Sequence, residues 1–136
     1  MTVKTETNFW KSLKKYLDGG SYIVSRLESY VTPGFPDCLV FRKDTGFFTV
    51  ELKVANSNNS VTISPFQIAW NMRYATAGAN SYILVNLPLI EEVKLFHGCK
   101  TKDLGHSDLL LVPGLYEGRL KDLDFVDIIK NSQTPS

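Results

Sequence analysis

The amino-acid sequence predicts an α/β fold in which helices flank a mixed central sheet. Two apolar runs, residues 37–41 and 47–54, are separated by the short link K-D-T-G and predict an antiparallel hairpin. A helical pattern over residues 64–77 leads directly into the continuous apolar run 81–86. A helix followed at once by a buried strand indicates a crossover connection, so we expect parallel as well as antiparallel strand pairs.

Length and charge indicate one globular domain without a general polyanion-binding surface. The chain has 136 residues, enough for one core, and 15 basic against 14 acidic residues give a net charge of +1. We expect a single domain over residues 1–136, with its core at about 8–97, a C-terminal helical extension at 98–130 and a frayed tail at 131–136. Any contact with nucleic acid must therefore be local, or shared across an oligomer.

Cysteine usage and hydropathy indicate a reducing compartment. Cys38 and Cys99 lack C-x-x-C spacing, and Cys38 lies in an apolar run where a buried free thiol is expected. The N-terminal stretch M-T-V-K-T-E-T-N is polar rather than a signal peptide, and no apolar run approaches membrane-spanning length. We therefore expect an intracellular, cytoplasmic protein.

The first predicted element is a short amphipathic helix over residues 8–18. Its apolar residues recur at helical spacing, and the following Gly-Gly pair ends it. Thr7 or Asn8 is the expected N-cap. The lysines of this segment lie off the apolar stripe and are expected to face solvent.

The second predicted element is a strand over residues 21–28. Its alternation places Arg26 and Glu28 on the same face, just before the turn that leads to Asp37. Two interpretations stay open for this pair. Either the two side chains form a cross-strand ion pair of small value, or Glu28 is a further acid of a metal site and Arg26 contacts a phosphate or a carboxylate.

The hairpin carries the residues with the clearest chemical pattern. A turn that contains proline and glycine precedes Asp37, which stands at the start of the first strand. The second strand carries E-L-K at residues 51–53. Strand alternation puts Glu51 and Lys53 on one face, while the opposite face is wholly apolar. The residues of that apolar face are Phe48, Val50, Leu52 and Val54. Antiparallel pairing therefore brings Asp37 beside Glu51, with the Lys53 ammonium on the same patch.

Two adjacent carboxylates repel each other unless a cation or a proton lies between them. A hard divalent ion such as magnesium takes oxygen ligands and fits two carboxylates plus a phosphate. A neighbouring lysine positions or activates water, or stabilises charge on the phosphate. An E-x-K strand alone is more often a solvated face, but the G-x-P-D turn at hairpin distance favours a functional site.

The next predicted helix begins with a capping box. Ser64 is the N-cap, a proline follows at the first helical position, and Gln67 stands at the capping-box position. Gln67 is either this cap or an amide beside the metal, and the two roles compete for one side chain. Trp70 is expected in the core rather than stacked on nucleic acid. The preceding polar stretch, residues 55–62, is either a closing loop or a linker.

The remaining elements are less distinct. The run 81–86 is typical of a central strand buried on both faces, and residues 92–97 alternate as a further strand. Helical signals are weak at 107–112 and stronger at 120–130. Phosphate-loop and dinucleotide-binding glycine motifs are absent, and neither His97 nor His106 has a partner at zinc spacing.

The ordered set of motifs resembles the PD-(D/E)xK nuclease superfamily, whose restriction-endonuclease-like core has the order α-β-β-β-α-β. The matching residues are Gly34, Pro36 and Asp37, then Glu51, Leu52 and Lys53, then Ser64, Gln67 and Trp70. Within the superfamily, the sequence is most similar to the small VRR-NUC-like nucleases and related phage-encoded nucleases. These nucleases also resemble Holliday-junction resolvases. The resemblance covers roughly residues 8–86.

The resemblance implies a metal-dependent catalytic site. Asp37 and Glu51 would ligate Mg²⁺ or Mn²⁺, and the Leu52 backbone carbonyl would complete the protein ligands. Lys53 would orient the nucleophilic water. Gln67 would support the site from the helix.

The resemblance also implies an upstream acid. Members often carry an acid in the first helix, but residues 8–17 contain none, which leaves Glu28 as the metal-site candidate. Apart from the resemblance, the sequence pattern leads us to expect substrate contacts from Arg26, Ser64, Asn71 and Arg73.

The implied activity is that of a metal-dependent endonuclease that hydrolyses phosphodiester bonds in DNA. One alternative is a Holliday-junction or branched-DNA resolvase, which would present two sites as a homodimer or higher homo-oligomer. An alternative of another class is a catalytically inactive nucleic-acid-binding or scaffold protein with the same fold. The intact aspartate, glutamate and lysine argue against that last alternative.

Overall fold

A computed structural model of the protein describes residues 5–27 and 33–133. The strands are β1 (Ile23–Arg26), β2 (Cys38–Arg42), β3 (Gly46–Val54), β4 (Ser81–Leu87), β5 (Glu92–His97) and β6 (Tyr116–Gly118). The helices are α1 (Glu6–Gly19), α2 (Pro65–Thr76), α3 (Thr101–Leu104) and α4 (Phe125–Gln133), with 3-10 turns at Gly98–Lys100 and Leu120–Asp122.

The strands form one mixed sheet in the order β1-β2-β3-β4-β5-β6. The β3–β4 pair is parallel, and every other neighbouring pair is antiparallel. Helix α2 makes the crossover between the two parallel strands. The predicted α/β class, the mixed sheet and the β2–β3 hairpin are therefore confirmed.

Helix α1 begins earlier than the sequence pattern predicts. Its N-cap is Thr5, whose hydroxyl accepts a hydrogen bond of 3.1 Å from the backbone N–H of Asn8. The expected caps at Thr7 and Asn8 are therefore wrong, and Glu6 becomes the first helical residue. A cap at Thr5 also places an acidic residue in the first turn, where it complements the helix dipole.

Helices cover both faces of the sheet at its centre. On one face, α1 and α4 pack against β3 and β4, and this core includes Phe48, Val50 and Leu52. The predicted apolar face of β3 is therefore buried at these three positions. On the other face, α3 and the segment near Leu109 pack against β4 and β5, and α2 lies over β3 and β4. Strand β4 is buried along its whole length, as predicted.

The region after β5 differs from its prediction. Residues 107–112 form turns rather than a helix, because long-range contacts hold their backbone: Lys94 donates to the carbonyls of Leu110 and Val112. Strand β6 was not predicted. The predicted helix 120–130 divides into a 3-10 turn and α4, and Asp124 accepts a hydrogen bond from the Asp127 N–H at the start of α4.

Two further expectations concern Cys38 and membranes. Cys38 is a free, buried thiol, as predicted, and its Sγ donates to the Val50 carbonyl at 3.3 Å. Burial raises the pKa of this thiol above its ordinary value. Within residues 5–27 and 33–133, no helix is both long and apolar enough to span a bilayer.

The turn before β2 depends on a glycine. Gly34 has φ +88°, a left-handed conformation that side chains other than glycine rarely adopt. A Cβ atom at this position would lie 2.2 Å from the carbonyl oxygen of Phe66 in α2. Backbone geometry and contact with α2 therefore both require glycine where the chain approaches Asp37.

We expect Gly34→Ala to lower the free energy of unfolding by about 2 kcal/mol or more, because the variant combines strain with a backbone clash. Gly105→Ala is the matched control: Gly105 has φ −71°, and its Cβ would meet no atom within 4 Å. The control should change stability by less than about 0.5 kcal/mol. Denaturant unfolding measures both variants, and equal effects would contradict this role of the turn.

Candidate active site

The acidic site lies where the β2–β3 ladder ends. The last paired residues are Cys38 and Val50, and β3 continues beyond them to Val54. The Leu52 N–H therefore has no strand partner on this side, and it donates instead to Asp37 Oδ2 at 2.7 Å. The Asp37 carbonyl accepts from the Leu27 N–H at 2.7 Å. Asp37 is thus held through both its side chain and its backbone.

Glu51 is the buried acid of the site, with only 2 % of its surface exposed. Its Oε1 accepts a hydrogen bond of 3.1 Å from the Gln67 amide. Its Oε2 is buried and has no hydrogen-bond partner within the part of the chain that the structure describes. Burial, followed by the negative charge of Asp37, raises the pKa of Glu51 above its ordinary range, and Lys53 opposes the increase. The carboxyl therefore needs a proton or a cation.

A third acid approaches from α1. Glu6 is exposed at the start of α1, and partial desolvation of its carboxyl raises the pKa of that group. The positive charge of Lys53 lowers this pKa and the negative charge of Asp37 raises it, so Glu6 shares their electrostatic environment. Glu6 was not predicted as a site residue because the helix was expected to begin at residue 8. The signal was present: Thr5 is a good N-cap, and an acid directly after a cap favours a helix start.

The comparisons with known proteins are informative at the level of structure. No family model matches the sequence, and no curated protein does. Among solved structures, a VRR_NUC domain superimposes with a TM-score of 0.51 and 24 % sequence identity. The alignment covers 61 % of this chain and 85 % of that chain. The chain has the VRR_NUC fold. The resemblance in fold that the motifs predict is therefore confirmed.

On this VRR_NUC fold, Gln67 performs two roles at once. Its Oε1 accepts from the Ser64 N–H at 3.0 Å, which completes the capping box with Ser64 Oγ and the Gln67 N–H. Its Nε2 donates to Glu51. The expected competition between the two roles is therefore wrong, because the two ends of one amide serve different partners.

Asn71 lies behind Gln67 rather than on an open surface. It is fully buried, donates to the Gln67 carbonyl at 2.9 Å and accepts from the Ser81 hydroxyl at 2.8 Å. A direct substrate contact for Asn71 is therefore wrong, because solvent and ligands cannot reach it. These bonds join α2 to β4 and so fix the position of Gln67 relative to Glu51.

The other expected substrate residues have different surroundings. Ser64 is half-buried and its hydroxyl is engaged as the α2 cap, whereas Arg73 is exposed on α2. Arg26 is exposed on β1, with its guanidinium 5.3 Å from the centre of the Trp10 ring. Its charge lowers the pKa of Glu6, so it faces the acidic site. Glu28, the expected further metal ligand, lies outside the described residues.

The donor set suits a hard divalent cation. Among the described residues, no group of three or more His, Cys, Asp and Glu side chains has the geometry of a complete metal site. Asp37 and Glu51 supply two carboxylates, and Glu51 keeps an unpartnered buried oxygen. A strand residue directs its N–H and C=O to the same side, so the Leu52 carbonyl faces the Asp37 side of β3. Magnesium accepts such a partial oxygen set because it retains several waters.

We expect Glu51→Gln to stabilise the metal-free protein above neutral pH. The raised pKa of Glu51 means that the folded state keeps a proton that the unfolded state has already lost, so wild-type stability falls as pH rises above the ordinary carboxyl range. Each unit of pKa difference corresponds to about 1.4 kcal/mol. Glutamine removes this loss and keeps a side-chain oxygen that can accept the hydrogen bond from Gln67.

Denaturant unfolding in chelator at about pH 5 and about pH 8 measures this effect. The advantage of Glu51→Gln should be small at the lower pH and should exceed about 1 kcal/mol at the higher pH. Mn²⁺ should reduce the advantage or reverse it, because an ion bound only to the folded wild type adds stability. A variant that is less stable than wild type at the higher pH without metal would contradict this account of Glu51.

Proposed function

We propose that this protein is a metal-dependent endonuclease that hydrolyses phosphodiester bonds in DNA. The observation that carries the proposal is the meeting of Asp37 and buried Glu51 at the end of the β2–β3 ladder, with the Lys53 charge beside them. The VRR_NUC fold supports the same conclusion. Two acids and an amine at one site match the needs of water activation next to a phosphate.

The metal would be held by side-chain and backbone oxygens. Asp37, Glu51 and the Leu52 carbonyl are the proposed ligands, and Mg²⁺ or Mn²⁺ is the proposed ion. When bound, the ion supplies Lewis-acid chemistry: it lowers the pKa of water and offsets charge on the phosphate. Gln67 restrains one oxygen of Glu51 and leaves the other available. Glu6 adds negative charge at the same site.

Lys53 has the role closest to the reacting water. Its ammonium shares the face of β3 that bears Glu51, and its charge lowers the pKa values of both Glu51 and Glu6. A cation in this position orients the water through hydrogen bonds and stabilises negative charge that develops on the phosphate oxygens. The exposed guanidinium groups of Arg26 and Arg73 are proposed contacts for flanking phosphates.

The charge balance limits how the protein holds DNA. A net charge of +1 gives little long-range attraction to a polyanion. Binding therefore depends on local cations, to which the bound ion adds, or on a second protomer that contributes another set. A homodimer or higher homo-oligomer stays part of the proposal for this reason.

We expect Asp37→Asn to abolish DNA cleavage and Lys53→Ala to lower it at least about a hundredfold while Mn²⁺ still binds. The first variant removes a ligand charge, whereas the second removes only the group that acts on water. Asp44→Asn is the matched control, because Asp44 lies at the opposite end of the same hairpin, in an ion pair with Arg42. The control should cleave as wild type does.

The measurement is a cleavage assay with Mg²⁺ or Mn²⁺ on duplex, flap, four-way junction and single-stranded DNA. Full activity of Asp37→Asn, or of wild type in chelator, would exclude the proposed mechanism. A wild type that binds Mn²⁺ and DNA but cleaves none of the panel would identify the protein as a binding or scaffold protein.

A further inference from the structure

An exposed group of aromatic rings lies next to the candidate active site. We define the aromatic surface as Phe35, Phe66, Trp70 and Tyr74. Phe35 is 39 % exposed, Phe66 59 % and Tyr74 44 %, although large apolar side chains of this kind are usually buried. Trp70 was expected in the core, but it is only partly buried and lines two surface cavities of ≈ 260 and ≈ 490 Å³.

Two rings of the aromatic surface form a stack, and a third packs against them at a tilt. Trp70 and Tyr74 are parallel within 19°, with their centroids 4.2 Å apart. Phe35 packs on Trp70 at 5.8 Å. Trp70 covers one face of the Tyr74 ring, and 44 % of Tyr74 stays exposed. A planar group that lay there would extend the stack by one layer.

The aromatic surface is connected to the acidic site through the Gly34 turn and through α2. Phe35 stands two residues before Asp37, in the turn whose Gly34 packs on α2. Trp70 and Tyr74 follow Gln67 by one and two helical turns on α2, so Tyr74 lies about 10 Å from Gln67 along the helix axis. That span corresponds to only a few nucleotides of a DNA strand.

The neighbouring charge also fits a nucleotide. Arg73 is exposed and lines the cavity that Trp70 and Tyr74 border. Aromatic rings beside a cation are the usual means of holding unpaired bases, because rings stack on bases of any sequence while the cation attracts the backbone. A paired duplex buries the faces of its bases within its own stack, so it offers nothing to Tyr74.

We propose that the aromatic surface binds an unpaired nucleobase of the DNA strand whose phosphate lies at Asp37 and Glu51. This inference rests on the proposed function and refines its substrate class. The preferred substrate carries unpaired nucleotides near the cleaved bond, as single-stranded or branched DNA does. Tyr74 is the terminal platform of the stack, and Trp70 and Phe35 support it from beneath.

The test uses oligonucleotides that carry the fluorescent base 2-aminopurine, whose emission falls when it stacks. Binding is measured in chelator, which prevents cleavage, on a flap with the probe in the unpaired arm and on a fully paired duplex. Wild type should quench the unpaired probe and leave the paired probe unchanged. Tyr74→Ala should lose the quenching and bind the flap at least about fivefold more weakly.

Two conservative variants separate stacking from apolar docking. Tyr74→Phe keeps the ring and should behave as wild type, whereas Tyr74→Leu keeps apolar bulk but should fail as Tyr74→Ala does. Leu111→Ala, at a remote position that is 80 % exposed, is the control for loss of surface apolar area. Equal behaviour of Tyr74→Leu and Tyr74→Phe would overturn the stacking site.

The remaining outcomes distinguish this inference from the proposed function. Metal-dependent cleavage without quenching by wild type would overturn the stacking site and leave the nuclease standing. A wild type that neither binds nor cleaves any DNA would overturn both. The oligomeric state is measured in parallel by light scattering. If wild type is a dimer and Tyr74→Ala is a monomer, a second copy covers the aromatic surface. That result would also overturn the stacking site.

Discussion

The structure depends on the placement of the Asp37 and Glu51 carboxylates where β3 continues beyond the end of β2 pairing. Ladder hydrogen bonds stop at the pairing of Cys38 with Val50, and Asp37 then takes the place of a strand by accepting the Leu52 N–H. Helix α2 covers Glu51, which is therefore buried beside the negative charge of Asp37. Burial of an acid in that position is costly unless a proton or a cation compensates it. The fold is therefore more stable when a proton or a cation compensates the charge of Glu51.

Contacts from the rest of the domain hold Glu51 in this position. On the helix side, Ser81 and Asn71 fix α2 on β4, and Gln67 then restrains Glu51. The amide of Gln67 also closes the capping box, so the start of the helix and the acid share one side chain. A displacement of α2 would break the cap and expose the carboxylate at once. Buried polar contacts therefore couple the start of α2 to the candidate catalytic acid.

Sequence patterns identified the features that depend on near neighbours. Alternation along residues 47–54 placed Glu51 and Lys53 together, and the capping box located the start of α2, because both are local effects. Features that depend on distant contacts were missed. The turns at 107–112 follow from Lys94, which binds their carbonyls across the fold, and the burial of Asn71 follows from Ser81 on another element. Glu6 was missed for a smaller reason, since a helix start two residues too late removed it from consideration.

Calorimetric titration with Mn²⁺ near neutral pH, repeated in buffers with different ionisation enthalpies, tests the central claim most directly. If the paired acids hold a proton in the absence of the ion, binding must release protons, because the raised pKa of Glu51 keeps it protonated where an ordinary carboxyl is ionised. We expect wild type to bind Mn²⁺ with release of protons, and Glu51→Gln to bind far more weakly and without release. Binding that releases no protons and is unchanged in Glu51→Gln, or no binding by wild type, would contradict the account.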